Sequence, residues 1–596
     1  MTDIVHPSLI LLGGALLLPF IRGPLRKPYL LLVPLLCLFD VVSLAGHQGV
    51  FGLYRFMDWQ LVFGRIDRLS TIFALIMSLV GVIGTLYGLH VDRAGEHMAA
   101  WSYLAGALGV IYCADYLSLF LFWELMAFAS VFLIWFRRTK KSLSAGYRYI
   151  LVHAVGGVIL LAGIMLRYQA VGNISFGLLD VHHPHLYTWL ILTGFCLNAA
   201  VVPLHAWLPD AYSHASFNGA VFLCAVTTKT AIYTLARAFP GMDVLVILGV
   251  VMALWGMIYT IMENDIRKLL AWSIVSQVGY MVAGVGIGTE LAINGAAAHA
   301  VAHILYKSLL FMGTGSVLYM TGTTKLTELG GLYKKMPATM IFTIIGCQSI
   351  SAAPFFAAYV SKPMIITAGY EAHLVWASWL LMFGATGTFI YNGLKLPYFL
   401  FFSENKCSDQ TWRRAADPPW NMMFAMLIGS TLCMAVGSFP TLLYRLLPYP
   451  VDFNPYTMYQ FLETSQLLGL AAVAFFLLKK YTAPEAKITL SMDWFYRMGG
   501  RAFMWLVRHP IQWMDSAWGE AYRVVGLRSL MTTAGFWSWF DREAIDGVVD
   551  GFARLVRGLG GRLRLLQSGR IQVSIYFAAA LSACLLVAYV LSGMYY

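Results

Sequence analysis

The strongest constraint in this sequence is its succession of apolar runs, each close to the roughly 20 residues that a helix needs to cross hydrocarbon. Sixteen such runs are read near 8–22, 28–46, 68–90, 98–113, 115–136, 147–168, 186–206, 218–237, 243–262, 269–287, 291–320, 338–370, 374–402, 420–440, 463–479 and 572–594. They are long and do not alternate, so helices rather than barrel strands satisfy the backbone within them. Over the 596 residues, 59% are hydrophobic and 12% charged, against about 45–50% and about 25% in an ordinary soluble domain. A water-soluble multidomain enzyme is therefore excluded. The expected fold class is an all-α polytopic membrane protein with 15–16 transmembrane helices.

The net charge of +12 comes from 41 Lys plus Arg against 29 Asp plus Glu, and its distribution points to loops on one face rather than to nucleic acid. With the N-terminus outside, Arg22, Arg26, Lys27, Arg137, Arg138, Lys140, Lys141, Arg267, Lys268, Lys334, Lys335, Arg413, Arg414, Lys479 and Lys480 share one side. By the positive-inside rule that side is cytoplasmic. The stretch Leu9 to Ile21 has no positive leader and no small-residue cleavage site, and reads as a retained first helix. Seven of the 8 Cys are named by position as lone residues, mostly in apolar runs (Cys37, Cys113, Cys196, Cys224, Cys347, Cys433, Cys584). That spacing offers neither a disulfide framework nor a cluster, and no cofactor or metal is expected.

From about Thr482 to Arg570 charges mix with Trp and Phe at helical spacing, as in Trp494, Phe495, Met498, Phe503 and Leu506, then Ile545, Val549, Phe552, Leu555 and Val556. Such a segment lies along a membrane face or along partner helices. Gly499, Gly500, Pro510, Gly558, Gly560 and Gly561 predict several helical pieces rather than one rod. The alternative is a cytoplasmic tail followed by a C-terminal anchor.

An ionisable group at mid-bilayer costs roughly 2.5–3.5 kcal/mol on insertion scales, so each needs a reason. Glu124, in LFLFWELMAFASVF, is too deep to reach headgroups and must pair with a cation or carry a proton. Lys229 lies well inside AVFLCAVTTKTAIYTLA. His299, His303 and Lys307 follow one another at a spacing of four, which sets them on one helical face along about 12 Å. Imidazoles exchange protons near neutral pH, so this row suits proton hopping through water. Structural ion pairs for Glu124 and Lys229, and a merely hydrogen-bonded or haem-ligating His pair, are the competing readings. The absence of HExxH and of a second His pair within a crossing disfavours a metal.

Two further stretches join polar groups to helix breakers. Pro203 and Pro209 flank His205 and precede Asp210, while Pro354 precedes Ser361, Lys362 and Pro363. Broken helices at matching places in two halves mark a transport path, because freed backbone groups are tolerated only around a wet cavity.

Together the stretches FWELMAFASVFLI, VPLHAWLPDAYSHAS, TKTAIY, ENDIRKLLAWSIVSQVGYM and HAVAHILYKSLLFMGTGSV, with the Ser361–Lys362 pair, resemble the antiporter-like subunits of respiratory complex I. These are shared with multisubunit sodium/proton antiporters and membrane-bound hydrogenases. The tail WFDREAIDGVVDGFARLVRGLGGRLRLLQSGRIQVSIYF is similar to the end of the distal, largest complex I subunit. The resemblance implies two inverted five-helix repeats with broken helices, a C-terminal lateral amphipathic segment and a final anchor helix. It implies N-terminal helices over 1–92, half-channels over 93–240 and 241–405, further helices over 406–481, the lateral segment over 482–570 and the anchor over 571–596.

In that family a proton path, or a sodium path, would run through Glu124, Lys229, His299, His303, Lys307 and Lys362, with Asn198, His205, Asp210 and Lys395 as secondary candidates. The family's usual Lys before the first break is Asn198 here. Either Lys229 then partners Glu124, or the first half-channel works differently or does not pump. The expected switch is electrostatic: unit charges about 4 Å apart interact by roughly 4 kcal/mol at an effective dielectric near 20. The resemblance further implies related antiporter-like membrane subunits as partners, a peripheral redox arm, an inner or other energy-transducing membrane, and no redox chemistry in this chain. A solute transporter, a bracing subunit that does not pump, a haem or quinone enzyme and an inorganic-carbon uptake pair are the rival readings.

Overall fold

The structure, a computed structural model, describes residues 5–486, 492–566 and 569–593. It divides into two compact units, Met1–Phe495 and Tyr496–Tyr596.

The first unit opens with α1 (Pro7–Leu17) and α2 (Arg26–Leu44), followed by an antiparallel hairpin of β1 (Gly49–Phe56) and β2 (Trp59–Ile66). This hairpin is the one sheet among the described residues, in a fold that is otherwise helical as expected. Its strands hold too many apolar side chains on both faces to show the period of two, and only the two-residue turn between Phe56 and Trp59 betrays it. Next come α3 (Arg68–Tyr87), α4 (Ala94–Tyr112), α5 (Tyr116–Trp135), α6 (Lys140–Val171) and α7 (Leu186–Asn198). They are followed by α8 (Trp207–His214), α9 (Gly219–Ala225), α10 (Thr227–Ala238), α11 (Asp243–Met262), α12 (Ile266–Ile287) and α13 (Glu290–Thr321). Then come α14 (Pro337–Ile350), α15 (Lys362–Glu371) and α16 (Val375–Thr388), which π-helical turns extend over Phe389–Lys395 and Tyr398–Phe402. α17 (Asp409–Arg414), α18 (Trp420–Ser438), α19 (Thr441–Tyr444) and α20 (Met458–Thr482) complete the unit.

Among the described residues, eleven helices are long and apolar enough to cross a membrane, and Pro7–Phe20, Leu186–Asn198 and Pro337–Ile350 are shorter apolar helices. The crossings read at 186–206 and 338–370 are interrupted, and the gaps lie where the prolines and polar residues sit.

An internal repeat is visible in the caps as much as in the helices. Asp115 caps α5 by accepting from the Ser118 N–H at 2.7 Å and bridges to Ser175. Asp265 caps α12 by accepting from the Arg267 and Lys268 N–H groups and bridges to Lys325. The helices that follow, α6 and α13, each run 32 residues and end on a left-handed glycine, Gly172 or Gly322. The next helix of each set then breaks, α7 from α8 and α14 from α15, with a left-handed alanine (Ala200, Ala352) two residues past the last helical residue. The two sets therefore repeat the same order of capped helix, 32-residue helix and broken helix.

The second unit carries a helical run that opens with α21 (Met492–Leu506) and passes through α22 (Gln512–Ala521), α23 (Ser529–Trp539) and α24 (Gly547–Leu565). The joints are π-turns at Val507–Ile511, Tyr522–Arg528 and Phe540–Asp546, not breaks. This corrects the expectation of several pieces. Pro510 falls in the first π-turn, where the shifted bonding pattern accommodates a residue with no N–H. Residues 487–491 and 567–568 of the expected lateral segment, and 594–596 of the expected anchor, lie outside the described residues. The unit ends with α25 (Ile571–Gly593), apolar and exposed along its length.

Candidate functional site

α13 is almost wholly enclosed, and His299, His303 and Lys307 on it are each 0% exposed. The Lys307 ammonium donates to the Leu270 carbonyl at 3.2 Å and to the Ser273 hydroxyl, both on α12. One turn towards the N-terminus the His299 and His303 rings lie 6.4 Å apart, and Tyr306 stands 5.2 Å from His303. His299 Nδ1 shares a hydrogen bond of 3.0 Å with the Ser361 hydroxyl at the α14–α15 break. Lys362, the next residue, is 1% exposed, donates to the Ile350 carbonyl at 3.2 Å and lies 5.0 Å over the Tyr280 ring. The helix break thus delivers a carbonyl to Lys362 and a hydroxyl to His299 at one place.

Lys229 enters the same region from the first repeat. The junction of α9 and α10 at Val226 frees the Cys224 carbonyl, which accepts from the Lys229 ammonium at 2.5 Å, and Thr228 accepts at 3.0 Å. His303 lies within electrostatic reach of Lys229, Lys307 and Lys362. Neither His303 nitrogen, nor Nε2 of His299, has a hydrogen-bonding partner in the protein. Buried polar atoms are normally satisfied by protein or by ordered water.

Glu124 stands apart from this row. Among the described residues no cation comes within ion-pair distance of it, and its Oε1 has no hydrogen-bonding partner. Lys229 has not taken over as its partner, since its ammonium is spent on Cys224 and Thr228. The carboxylate packs on bare backbone of α6, where a Cβ on Gly157 would fall 2.1 Å from Oε1. Asn198, at the end of α7, is 1% exposed with both amide atoms unpartnered.

The secondary candidates are held elsewhere. His205 accepts from the Trp255 indole at 3.1 Å. Asp210 is paired with Arg148 of α6 at 2.6 Å. Lys395 donates to the Ile261 and Glu263 carbonyls, capping α11. Arg267, read as a loop charge, is 0% exposed and donates to the Tyr212, Ala215 and Ser216 carbonyls at the end of α8.

Sequence reading missed the groups that α12 presents to the row. Ser273, Gln277 and Tyr280 recur at intervals of four and three, the spacing of one helical face. Gln277 accepts from Tyr306 at 3.5 Å and donates to Thr388 at 3.1 Å. His153 of α6, stacked 4.0 Å from Tyr149 and edge-on to Trp207 at 4.6 Å, was also missed. The interval from Tyr149 to His153 was its signal.

Residues 113–390 match the family described as NADH:quinone oxidoreductase/Mrp antiporter, TM. The Na(+)/H(+) antiporter subunit A1 of Staphylococcus haemolyticus (strain JCSC1435) is 27% identical over 496 residues, covering 74% of this chain and 62% of that one. The chain thus spans about six-tenths of that relative's length. The chloroplastic NAD(P)H-quinone oxidoreductase subunit 5 of Chara vulgaris is 26% identical over 574 residues, covering 87% of this chain and 84% of its own. A chain in the structure of the Mrp complex from Dietzia sp. DQ12-45-1b shares the fold, with a TM-score of 0.68 at 21% identity over 78% of this chain and 98% of that one. The matched stretch, residues 113–390, holds both helix breaks and the buried row from Lys229 to Lys362, and it is this stretch that is similar to the NADH:quinone oxidoreductase/Mrp antiporter transmembrane family.

Proposed function

We propose that the chain is a proton-translocating membrane subunit of a multisubunit complex and moves protons along Lys229, Lys307, His303, His299 and Lys362. The carrying observation is that these titratable groups, 0–1% exposed, come from α10, α13 and the α14–α15 break and lie within electrostatic reach of one another. A buried ammonium costs about 2.5–3.5 kcal/mol on insertion scales, and five buried bases in one row are poorly explained by bracing alone. The row is made of nitrogen bases, whereas a hard metal cation takes oxygen ligands, so a proton suits it better than Na+. Hydroxyl and amide groups of Ser273, Gln277, Thr388 and Ser361 flank the row and can orient water between its members.

Asn198 and the isolation of Glu124 favour a distinct role for the first repeat. With no lysine to hold, Glu124 acts as a proton carrier rather than as half of an ion pair, and delivers to Lys229 through water. The relatives named above, an antiporter subunit and a quinone oxidoreductase subunit, support assembly with further membrane subunits. The long run from Met492 and the exposed α25 would supply the contact.

The test is flux through proteoliposomes holding the assembled complex, read by pH-sensitive and Na+-sensitive dyes. Lys307→Met and His303→Leu should each cut proton movement tenfold or more with the complex intact. Unchanged proton movement in both would leave the bracing reading, and Na+ movement without protons would replace the ion.

A further inference from the structure

Lys362 faces two environments. On one side it meets Tyr280 and the row just described; on the other it lines a cavity of about 400 Å³ between α15, α16 and α20. α20 lies outside residues 113–390, the part of the chain that the family match covers. The cavity wall contributed by α20 carries Gln460 and the carboxylate of Glu463. Thr367 and Tyr370 of α15 and Thr386 of α16 complete its polar lining.

The direction of the cavity follows from the helices that line it. α15 leaves the break at Lys362 and runs to Glu371, away from the Lys334–Lys335 face on which α14 begins. Tyr370, eight residues on, is therefore about 12 Å nearer the Lys/Arg-poor face than Lys362. α20 starts on that same face at Met458 and ends at Lys479 and Lys480 on the other. Glu463 lies five residues inside its start, about 7.5 Å along the axis. A volume of this size has room for on the order of ten waters, at about 30 Å³ each.

We propose that Glu463 is the proton acceptor beyond Lys362, so that this cavity is the outlet of the second repeat towards the Lys/Arg-poor face. The step is a transfer through water: an N–H bond of the Lys362 ammonium breaks, an O–H bond forms on the Glu463 carboxylate, and both groups become neutral. Glu463 then gives its proton to water on the Lys/Arg-poor side and regains its charge, while Lys362 is reprotonated from the His299 side. The titratable groups facing this exchange are Tyr280 from α12, Tyr370 from α15 and Tyr459 from α20. The carboxylate comes from outside the two repeats, on α20, which packs on the unit through α16, the π-helical turns after it and Phe355.

The inference rests on the proton-path reading above, and its test separates the two. Proton flux is measured in the assembled, reconstituted complex carrying Glu463→Gln, Glu463→Asp or Lys307→Met. Glu463→Gln should lower flux tenfold or more, Glu463→Asp should restore at least half of it, and the pH profile should differ between the two. Flux lost in Lys307→Met but unchanged in Glu463→Gln overturns the outlet alone; flux unchanged in both overturns the path itself. Where Glu463→Gln fails to assemble, Thr367→Cys on a Cys584→Ser background replaces it. A cationic, membrane-impermeant thiol reagent added from the Lys/Arg-poor side should label Thr367→Cys and block flux. Absence of labelling from that side, or labelling without block, overturns the proposal.

Discussion

Glu124 can be moved without changing its charge. A Cβ on Gly157 would lie 2.1 Å from Glu124 Oε1 and 3.0 Å from its carboxyl carbon, while ordinary contact begins near 3.4 Å. The carboxylate must therefore retreat by at least 1.3 Å, the difference between 3.4 and 2.1 Å. As the free end of a flexible side chain it can do so at small cost, and alanine within a helix regains about 1 kcal/mol over glycine. Folding should therefore be spared. Proton transfer needs heavy atoms within roughly 2.6–3.2 Å or one water between them, and a displacement of about 1 Å can cost on the order of a hundredfold. Gly157→Ala should lower proton flux in proteoliposomes at least tenfold with an unchanged melting temperature. Gly156→Ala is the control: it sits on the same helix, gains the same propensity and meets only the Leu197 side chain, at 3.1 Å. Equal flux in Gly157→Ala, Gly156→Ala and the wild type would refute a positional role for Glu124.

Three further outcomes follow from packing and charge. In Gly279→Ala the new Cβ would meet the Gly249 carbonyl at 2.5 Å and the Ala253 nitrogen at 2.6 Å; backbone cannot yield as a side chain does, so α11 and α12 must part. Overpacking of this kind costs about 1–3 kcal/mol, seen as a lower melting temperature and reduced flux. Arg267→Met removes a donor from three carbonyls at the end of α8, of which Ser216 keeps the Ala220 N–H; a buried carbonyl left without a donor costs about 1–3 kcal/mol, so the variant should reduce the yield of assembled protein on size exclusion. At the start of α3, burial would push the Asp67 carboxyl up, but the paired hydrogen bonds and charge of Arg237 outweigh it and hold the carboxyl below its ordinary 3.8. A depressed carboxyl stabilises the fold above its ordinary value and loses that contribution as pH falls through the native one. The thermal stability of the wild type should therefore fall as pH drops below 3.8, and Asp67→Asn should lack that part of the acid dependence.

What the sequence displays and what it hides divides along physical lines. Apolar runs and buried charges are properties of single segments, so the crossings and the His299, His303 and Lys307 row were legible. The broken helices announced themselves through proline and polar residues at Pro203 and at Pro354 to Lys362. Contacts between distant segments were not legible: that Lys229 is spent on Cys224 and Thr228, that Arg267 turns inward, and that Asp210 is tied to Arg148. The run from Met492 misled for a local reason. Glycine and proline lower helix propensity, but π-turns absorb Pro510 without ending the helix. Glu463 was passed over because α20 is half-polar at its start, and only the cavity with Lys362 gives that carboxylate a use.

The most direct measurement is a density map of the assembled complex in lipid that resolves ordered water around α12, α13 and α15. The expected result is water joining Lys229, Lys307, His303, His299 and Lys362 at successive hydrogen-bond spacings of about 2.6–3.2 Å. Dry apolar packing between any two successive members of the row, too wide for one water to bridge, would contradict it.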